Sequence, residues 1–475
     1  MPVRHIHLHS RPCRRGALLG LGLLFAAAMS GQPSSQFQGS VPAGSASPTP
    51  LALKLDDAIR RGFQTNLGLL TRDTTSQTAR AERTRALAAL LPQVTGSLGE
   101  TEQQLSLKTI GFNFSFPPIP GFAGIPTIVG PFHYTAAQAN VSAKVFDWNA
   151  RKNLSSARAA EEAARLSVQD ARDLVVQAVA SSYLQIIADA SRVASIQAQV
   201  NTAEAIYNRA VEQKKAGTSP GIDVLRAQVE LKTQQQRLLA QQNQFEKDKL
   251  VLGRVIGLPA GQAFDIADTV PFAPLGGLTQ DEALRTALAQ RPDYQSAMKL
   301  VQSAQESLKA ARAEWYPTVN LDGYYGDAGQ SLNNSHGVFL VTGALSFNIF
   351  NGGRIRSDME QAKAQLKQRS DELADLGGQV DFQVRTAFLD IQTAADQVAV
   401  SESNLELANQ TLEQSRDRFA AGVADTVEVV QSQEAVAAAN DSIIAARFAH
   451  NLAKVELARA LGLAEQGIKK FIEVK

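Results

Sequence analysis

The sequence predicts a mainly helical chain with a small β part, in which one long helical-hairpin unit is used twice. Three observations carry that prediction. Matching residues recur at a fixed offset over most of the chain. Apolar residues follow a helical spacing through stretches of more than sixty residues, and each copy interrupts its helices with two short stretches of period two. Composition agrees: 6% of residues are aromatic and 20% charged, with abundant Ala and Gln, a mix suited to long helices rather than a compact enzyme core. A net charge of +1 gives no argument for nucleic acid as a partner.

Residues 1–30 read as a signal peptide. Arg4, Arg11, Arg14 and Arg15 precede an apolar run from Ala17 to Met29, with small residues at Ala28 and Ser30. Cleavage there removes four of the 47 basic residues and none of the 46 acidic ones, so the expected mature chain carries a net charge of −3. Cys13 precedes the apolar run, so it is no lipid-attachment cysteine and leaves with the signal, as do the alternating His5, His7 and His9. Arg14-Arg15 only weakly suggests twin-Arg export. Residues 31–52, rich in Ser, Gly, Pro and Gln, read as a flexible leader without a core. No other stretch has 18 consecutive apolar residues, which predicts no membrane-spanning helix in the exported chain.

The repeat comes next. Leu53, Asp56, Ala58 and Arg60 match Leu278, Asp281, Ala283 and Arg285, and Ala86, Pro92 and Val94 match Ala311, Pro317 and Val319, all at an offset of 225. Leu184, Gly217, Lys249, Arg254 and Gly257 match Leu389, Gly422, Lys454, Arg459 and Gly462 at an offset of 205. The change of offset places about 20 extra residues in the first copy between Pro92 and Tyr183, with the apolar stretch 105–133 as the candidate. The copies span 53–258 and 278–463, separated by a linker or equatorial segment at 259–277 and followed by a short tail at 464–475.

Each copy begins with a helix, 54–91 or 278–314, carrying acids in its first turn and stopping before Pro92 or Pro317. Two alternating segments follow. Ala137, Ala139, Val141, Ala143 and Val145 share one face of the first copy's second strand; Val341, Gly343, Leu345, Phe347 and Ile349 do so in the second copy. The strands preceding them lie near 93–104 and 317–327. Such alternation fits a half-buried strand, and in an exported protein a strand between lipid and a wet lumen. The long helices, 150–215 and 354–420, carry coiled-coil seams: Val193, Ile196, Val200, Ala203, Tyr207 and Ala210 in one, and Val398, Leu405, Leu412 and Phe419 in the other. Each ends at a glycine, Gly217 or Gly422, and a helix of about 35 residues returns, 222–256 or 427–461. A helix of about 66 residues spans roughly 100 Å at about 1.5 Å per residue, and two shorter helices stacked end to end match it. Each copy is therefore a pair of matched antiparallel rods with a β-hairpin at one end and a helical turn at the other.

The ordered set resembles the TolC-like outer-membrane efflux protein family over about residues 50–465. Its carriers are the duplicated long-short helix order, Val145-Phe146-Asp147-Trp148 and Ile349-Phe350-Asn351-Gly352-Gly353-Arg354 at the passages from strand to helix, and Ala-Gly turns followed by an acid six residues later. The resemblance implies a homotrimer with four transmembrane strands per protomer completing a twelve-stranded barrel, an α-barrel below it, and a belt formed by 259–277 and 464–475. It implies a channel in the outer membrane that extends into the periplasm, the exit duct of a tripartite efflux pump or type I secretion system. Its partners would be outer-membrane lipid, a periplasmic adaptor and an inner-membrane transporter.

The same resemblance assigns sites. Ala216, Gly217, Thr218 and Ala421, Gly422, Val423 fall on the tips where the adaptor docks; a glycine helix cap explains the same residues, and both roles coexist. Asp223 and Glu428 fall where acids constrict the periplasmic entrance, although a first-turn acid favoured by the helix dipole explains them equally. Phe419 takes the place of a tyrosine in the type member, as a seam or a gate residue. Two departures stand out: Ala424 replaces a basic residue and Gln431 an acid, leaving Arg226, Lys214 and Lys215 as substitute partners. Phe146, Trp148, Trp315, Tyr316 and Phe350 read as an interface girdle or as packing between the two barrels. In the 105–133 stretch, Phe112, Phe114, Phe116, Phe122, Ile125 and Ile128 are unusually apolar for an outer loop. His133, His336 and His450 are scattered, and no nucleophile motif or phosphate-binding loop accompanies them, so neither an enzyme nor a cofactor or metal site is expected. The competing class is a periplasmic coiled-coil adaptor or scaffold without a pore.

Overall fold

A computed structural model describes residues 37–112, 126–331, 333–424 and 426–472. The signal peptide with its Cys13 and histidines lies outside the described residues, as do Phe114, Phe116, Phe122 and Ile125 of the inserted loop. The chain runs β1 (Leu51–Leu53), α1 (Leu55–Thr65), α2 (Leu67–Ala88), β2 (Gln93–Ser106), β3 (Ile128–Phe146), α3 (Trp148–Lys215) and α4 (Gly221–Val255). It continues through β4 (Phe264–Ile266), α5 (Gln280–Gln290), α6 (Pro292–Ala313), β5 (Thr318–Ser331), β6 (Asn334–Ser346), α7 (Arg354–Ala420), α8 (Thr426–Ala460) and α9 (Ala464–Ile472).

The long helices α3 and α7 have 68 and 67 residues, and each spans about 100 Å. Near the sheet, α3 packs between α2 and α6, and α6 packs on α7; towards the far tips, α3 packs between α4 and α8, and α8 on α7. The helical layer is thus four rods wide, with α2 and α4 in line at one edge and α7 alone at the other. The seam residues do what their spacing predicts: Val200, Ala203, Ala210, Val398, Leu412 and Phe419 are buried.

The first helix of each copy departs from expectation, because it is two helices. The breaks fall at Asn66 and Arg291, which are 225 apart and share one backbone conformation, φ −64°, ψ 124° and φ −61°, ψ 121°. Asn66 restarts the helix by accepting hydrogen bonds from the Gly68 and Leu69 amides, whereas Arg291 is followed by Pro292, whose ring is pre-set for a first helical turn. The returning helix ends against each break. Gly257 and Gly462 have φ of 64° and 70°, and a Cβ there would lie 2.6 Å from Thr65 and 2.8 Å from the Arg291 backbone.

Around these breaks sits the main core, where α1, α9, β4 and the ends of α4 and α8 wrap the middle of α3 through Val175, Val179, Tyr183, Leu252, Phe264 and Ile472. Here the expectation of a coreless leader fails for its described part. Phe37 is buried in this core, the Asn66 side chain donates to the Phe37 carbonyl at 2.7 Å, and Leu51–Leu53 pairs in parallel with Phe264–Ile266. One buried apolar ring and hydrogen bonds to α1, α2 and the end of α4 outweigh the polar composition. By length and composition alone α3 has a window apolar enough to cross a membrane, with a mean hydropathy of 1.2, and 56% of that window is buried in the fold, as in a packed core helix.

The second sheet has the order β2-β3-β5-β6, antiparallel throughout. Register places Val94, Leu98, Val141, Leu321, Tyr325, Phe339, Val341 and Leu345 on one face, and Thr95, Ser97, Gln138, Asn140, Ser142, Asp322 and Thr342 on the other. β6 ends at Ser346, opposite Thr318, so Phe347 and Ile349 lie beyond the strand to which their alternation assigned them. The partner β5 starts just after Pro317, and no ladder exists past that point.

Candidate functional site

The tips are two helix hairpins with the same turn. Gly217 donates to the Lys214 carbonyl at 3.1 Å and Thr218 to Gln213 at 2.9 Å; Gly422 donates to Phe419 at 3.1 Å and Val423 to Arg418 at 3.0 Å. This six-to-one and five-to-two pattern places the glycines at φ 72° and 74°, following the C-caps Ala216 and Ala421. Nothing lies within 4 Å of a Cβ at either glycine, so the two turns present an open surface.

Sequence-equivalent acids behave differently at the two tips. Asp223, in the first turn of α4, is buried; it accepts from the Ser219 hydroxyl at 2.8 Å and pairs with Arg226 at 3.6 Å. Glu428, in the first turn of α8, pairs across its own hairpin with Arg418 at 3.1 Å, and both side chains remain substantially exposed. Arg226 therefore pairs with Asp223 within α4, and Arg418, the partner of Glu428, was not among the residues singled out from the sequence. Lys215 is held by Glu212 at 2.7 Å. The signal for Arg418 was a basic residue ten positions before an acid across a tight hairpin, a separation that helix-face rules do not cover.

Phe419 is buried among Leu412, Val429, Ile206, Ala210 and Ala227, a seam that joins the two hairpins of the chain. Gln431 lines an apolar groove of about 400 Å³ with Ile222, Leu225, Val229, Val427 and Val430. Deeper between the hairpins, Glu230, Gln234, Gln433 and Arg416 line a second cavity of about 310 Å³. No group of His, Cys, Asp and Glu side chains suited to a metal occurs among the described residues.

At the opposite end, Phe146 and Trp148 stack with centroids 6.4 Å apart, and Arg151 and Lys152 each lie 5.5 Å from the Trp148 ring. Trp315, Tyr316 and Phe350 are exposed at the same level, joined by Phe347 and Ile349. The ring is fixed by polar anchors: Asp147 caps α3 and holds Lys144 at 2.9 Å, Asn348 donates to the Glu314 carbonyl at 2.9 Å, and Arg354 pairs with Glu314 at 2.7 Å.

The family model for outer membrane efflux proteins matches residues 66–258 and 283–463, one segment for each copy of the repeat. The chain belongs to the outer membrane efflux protein family. It is 26% identical over 426 residues to the pyoverdine export outer membrane protein OpmQ of Pseudomonas aeruginosa, covering 86% of this chain and 85% of that protein. Among solved structures it is similar to the CmeC outer membrane channel of Campylobacter jejuni (TM-score 0.73, 14% identity, 92% and 95% of the two chains). It is also similar to the outer membrane protein VceC of Vibrio cholerae (TM-score 0.72, 18% identity, 86% and 96%).

As a member of the outer membrane efflux protein family, the chain is an outer-membrane efflux channel protein. Residues on the apolar face of β2, β3, β5 and β6 are exposed in the single chain: Leu98 at 70%, Phe339 at 76% and Val341 at 67%. Water is a poor environment for such a face, and lipid a suitable one.

Proposed function

We propose that this chain is one subunit of a trimeric exit duct, closed in the outer membrane by twelve strands and reaching into the periplasm as a hollow helical barrel. The observation that carries this reading is the four-stranded sheet with one apolar face, one polar face, and free edges at β2 and β6. Open strand edges are not viable in hydrocarbon, so the sheet must close on copies of itself. The helical layer has matching free edges. Leu225, Val229, Leu239 and Leu250 are exposed along α4, and Phe382, Leu389, Val400 and Leu407 along α7. A ring that joins β6 to the next β2 also brings α7 to the next α4, covering both apolar stripes at once.

In this reading Ala216, Gly217, Thr218, Ala421, Gly422 and Val423 receive a periplasmic adaptor, and Asp223, Arg226, Phe419, Glu428 and Gln431 surround the entrance that an inner-membrane transporter feeds. The chain reaches the outer membrane through a cleaved signal peptide and without a lipid anchor. Relatives are named for pyoverdine export, toluene efflux and cation efflux. Cargo so diverse fits a duct whose selectivity lies in its pump. The test is fractionation followed by planar-bilayer recording of the full-length protein. A carbonate-resistant outer-membrane trimer with discrete conductance is expected; a monomer recovered from the soluble periplasm overturns the proposal.

A further inference from the structure

His450 is fully buried on α8, and neither ring nitrogen makes a hydrogen bond of normal geometry. Its ring packs against Phe272 at 4.7 Å, and one turn later the buried Lys454 donates its ammonium to the Ala273 carbonyl. These two contacts clasp the strap at 270–275, which runs between β4 and α5 and links the two copies. Phe272 in turn packs with Val398 and Leu405 of α7 and with Ile443 and Ala446 of α8, so the wall on that side is apolar. From α9, Lys470 lines the neighbouring cavity together with Lys454, Pro274 and Leu275.

The first copy has the same clasp with different chemistry. Positions 205 earlier hold Phe245 and Lys249, where the Lys249 ammonium lies 5.4 Å from the rings of both Phe245 and Phe264 and 3.5 Å from Asp265. Phenylalanine under a strap is indifferent to protons; a buried histidine in its place is not. We propose that the belt carries an acid-sensitive clasp, in which protonation of His450 drives its ring out from beneath Phe272 and frees the 270–275 strap from α8.

Burial, then the adjacent Lys454 charge, pushes the His450 imidazole down to about 4, with the Asn451 amide acting weakly the other way. The released ring returns to an ordinary value near 6.5. A group whose closed-state value is depressed favours the closed state fully above pH 6.5, and loses that contribution as pH falls towards 4. By proton linkage the strap's opening equilibrium rises by about thirtyfold between pH 8 and pH 5. Buried carboxylates elsewhere in the fold act in the opposite sense: Asp173, raised to about 6 chiefly by burial, gains from protonation in the folded state. A global melting temperature mixes these effects, so the readout must be local.

Hydrogen exchange of the full-length protein in detergent provides it, with peptides covering 268–278 compared at pH 8 and pH 5 after correction for intrinsic exchange. The expected result is about a thirtyfold rise in strap opening at pH 5, absent in His450→Phe, which copies the first repeat, and absent in His450→Gln, which keeps a polar neutral side chain. Unchanged strap exchange in the unmodified protein, or the same acid response in either folded variant, overturns the proposal.

Discussion

The two copies of the repeat solve one geometric problem with different chemistry, and the contrast is sharpest at Asn66 and Arg291. Both residues interrupt a helix at the same register and in the same conformation. Asn66 does it with neutral hydrogen bonds, to the Gly68 and Leu69 amides and the Phe37 carbonyl. Arg291 does it with a buried charge that pairs with Asp293 at 2.6 Å and reaches Gln383, while Arg459 bridges Asp293 and Asp170 beside it. Duplication conserves backbone geometry because the returning Gly257 and Gly462 leave no room for another path. It leaves the side-chain solution free.

The largest expected effect follows from that asymmetry. Arg291→Met leaves the half-buried Asp293 beside a more distant partner, Arg459 at 3.8 Å, and should cost about 3 kcal/mol. Asn66→Ala removes a cap and should cost about 1 to 2 kcal/mol. Urea unfolding of the detergent-solubilised protein measures both. The sign of a pH test separates them further. Burial raises Asp293, but the hydrogen bond and charge of Arg291, with Arg459, outweigh it and hold the carboxyl below its usual range. Such a group contributes stability above its ordinary value of 3.8 and loses it below. Without Arg291 the shift reverses, so the Arg291→Met deficit should shrink on acidification to pH 5, while the Asn66→Ala deficit stays constant. Equal costs and equal pH responses would show that the two breaks are interchangeable.

A second comparison sets the belt glycines against the tip glycines. All four have positive φ, and alanine in that region costs about 1 to 2 kcal/mol. At Gly217 and Gly422 this strain stands alone. At Gly257 and Gly462 the new methyl also meets Thr65 or the Arg291 backbone, adding about 1 to 3 kcal/mol of overpacking. Thermal unfolding should therefore rank Gly462→Ala and Gly257→Ala well below Gly422→Ala and Gly217→Ala. A flat ranking would mean that α1 and α5 move aside freely, and that the belt is not the rigid centre its packing suggests.

Much of this was legible in the sequence, for reasons specific to each element. The offsets of 225 and 205, the tip glycines and the seam spacing encode backbone turns and long helices, and the observed α7 spans the residues read from the sequence. What was missed depends on contacts distant in sequence. Pro292 marked a helix start, but an uninterrupted apolar pattern on both sides of it masked the break. Phe37 is one apolar residue in a polar leader, and only the folded core reveals its pocket. Phe347 and Ile349 continue an alternation whose partner strand has already ended. At the tips, sequence reading located both acids and one of their two arginines, because Arg226 shares a helix face with Asp223 and Arg418 reaches Glu428 only across the folded turn.

The smallest expected effect is at the Arg418–Glu428 pair, and its contrast with the Ser219–Asp223 hydrogen bond tests whether the two tips are mechanically alike. The Arg418 and Glu428 side chains are 58% and 39% exposed, so their pair should contribute less than about 1 kcal/mol and be screened by salt. The Ser219–Asp223 hydrogen bond involves a charge on a buried residue, worth about 1.5 to 3 kcal/mol and insensitive to salt. Hydrogen exchange at the tips should therefore show that Arg418→Ala loosens the α7–α8 hairpin at low salt and has no effect at 0.5 M salt (about 4 Å of screening length). Ser219→Ala should loosen the α3–α4 hairpin equally under both conditions. Under the proposed function, that outcome assigns the two hairpins of one chain different roles: the turn before α4 is held by a largely buried contact, while α7–α8 is held by a solvated charge pair that an approaching charged surface can exchange for its own. If both hairpins respond to salt alike, the division is wrong and the acids act as one ring.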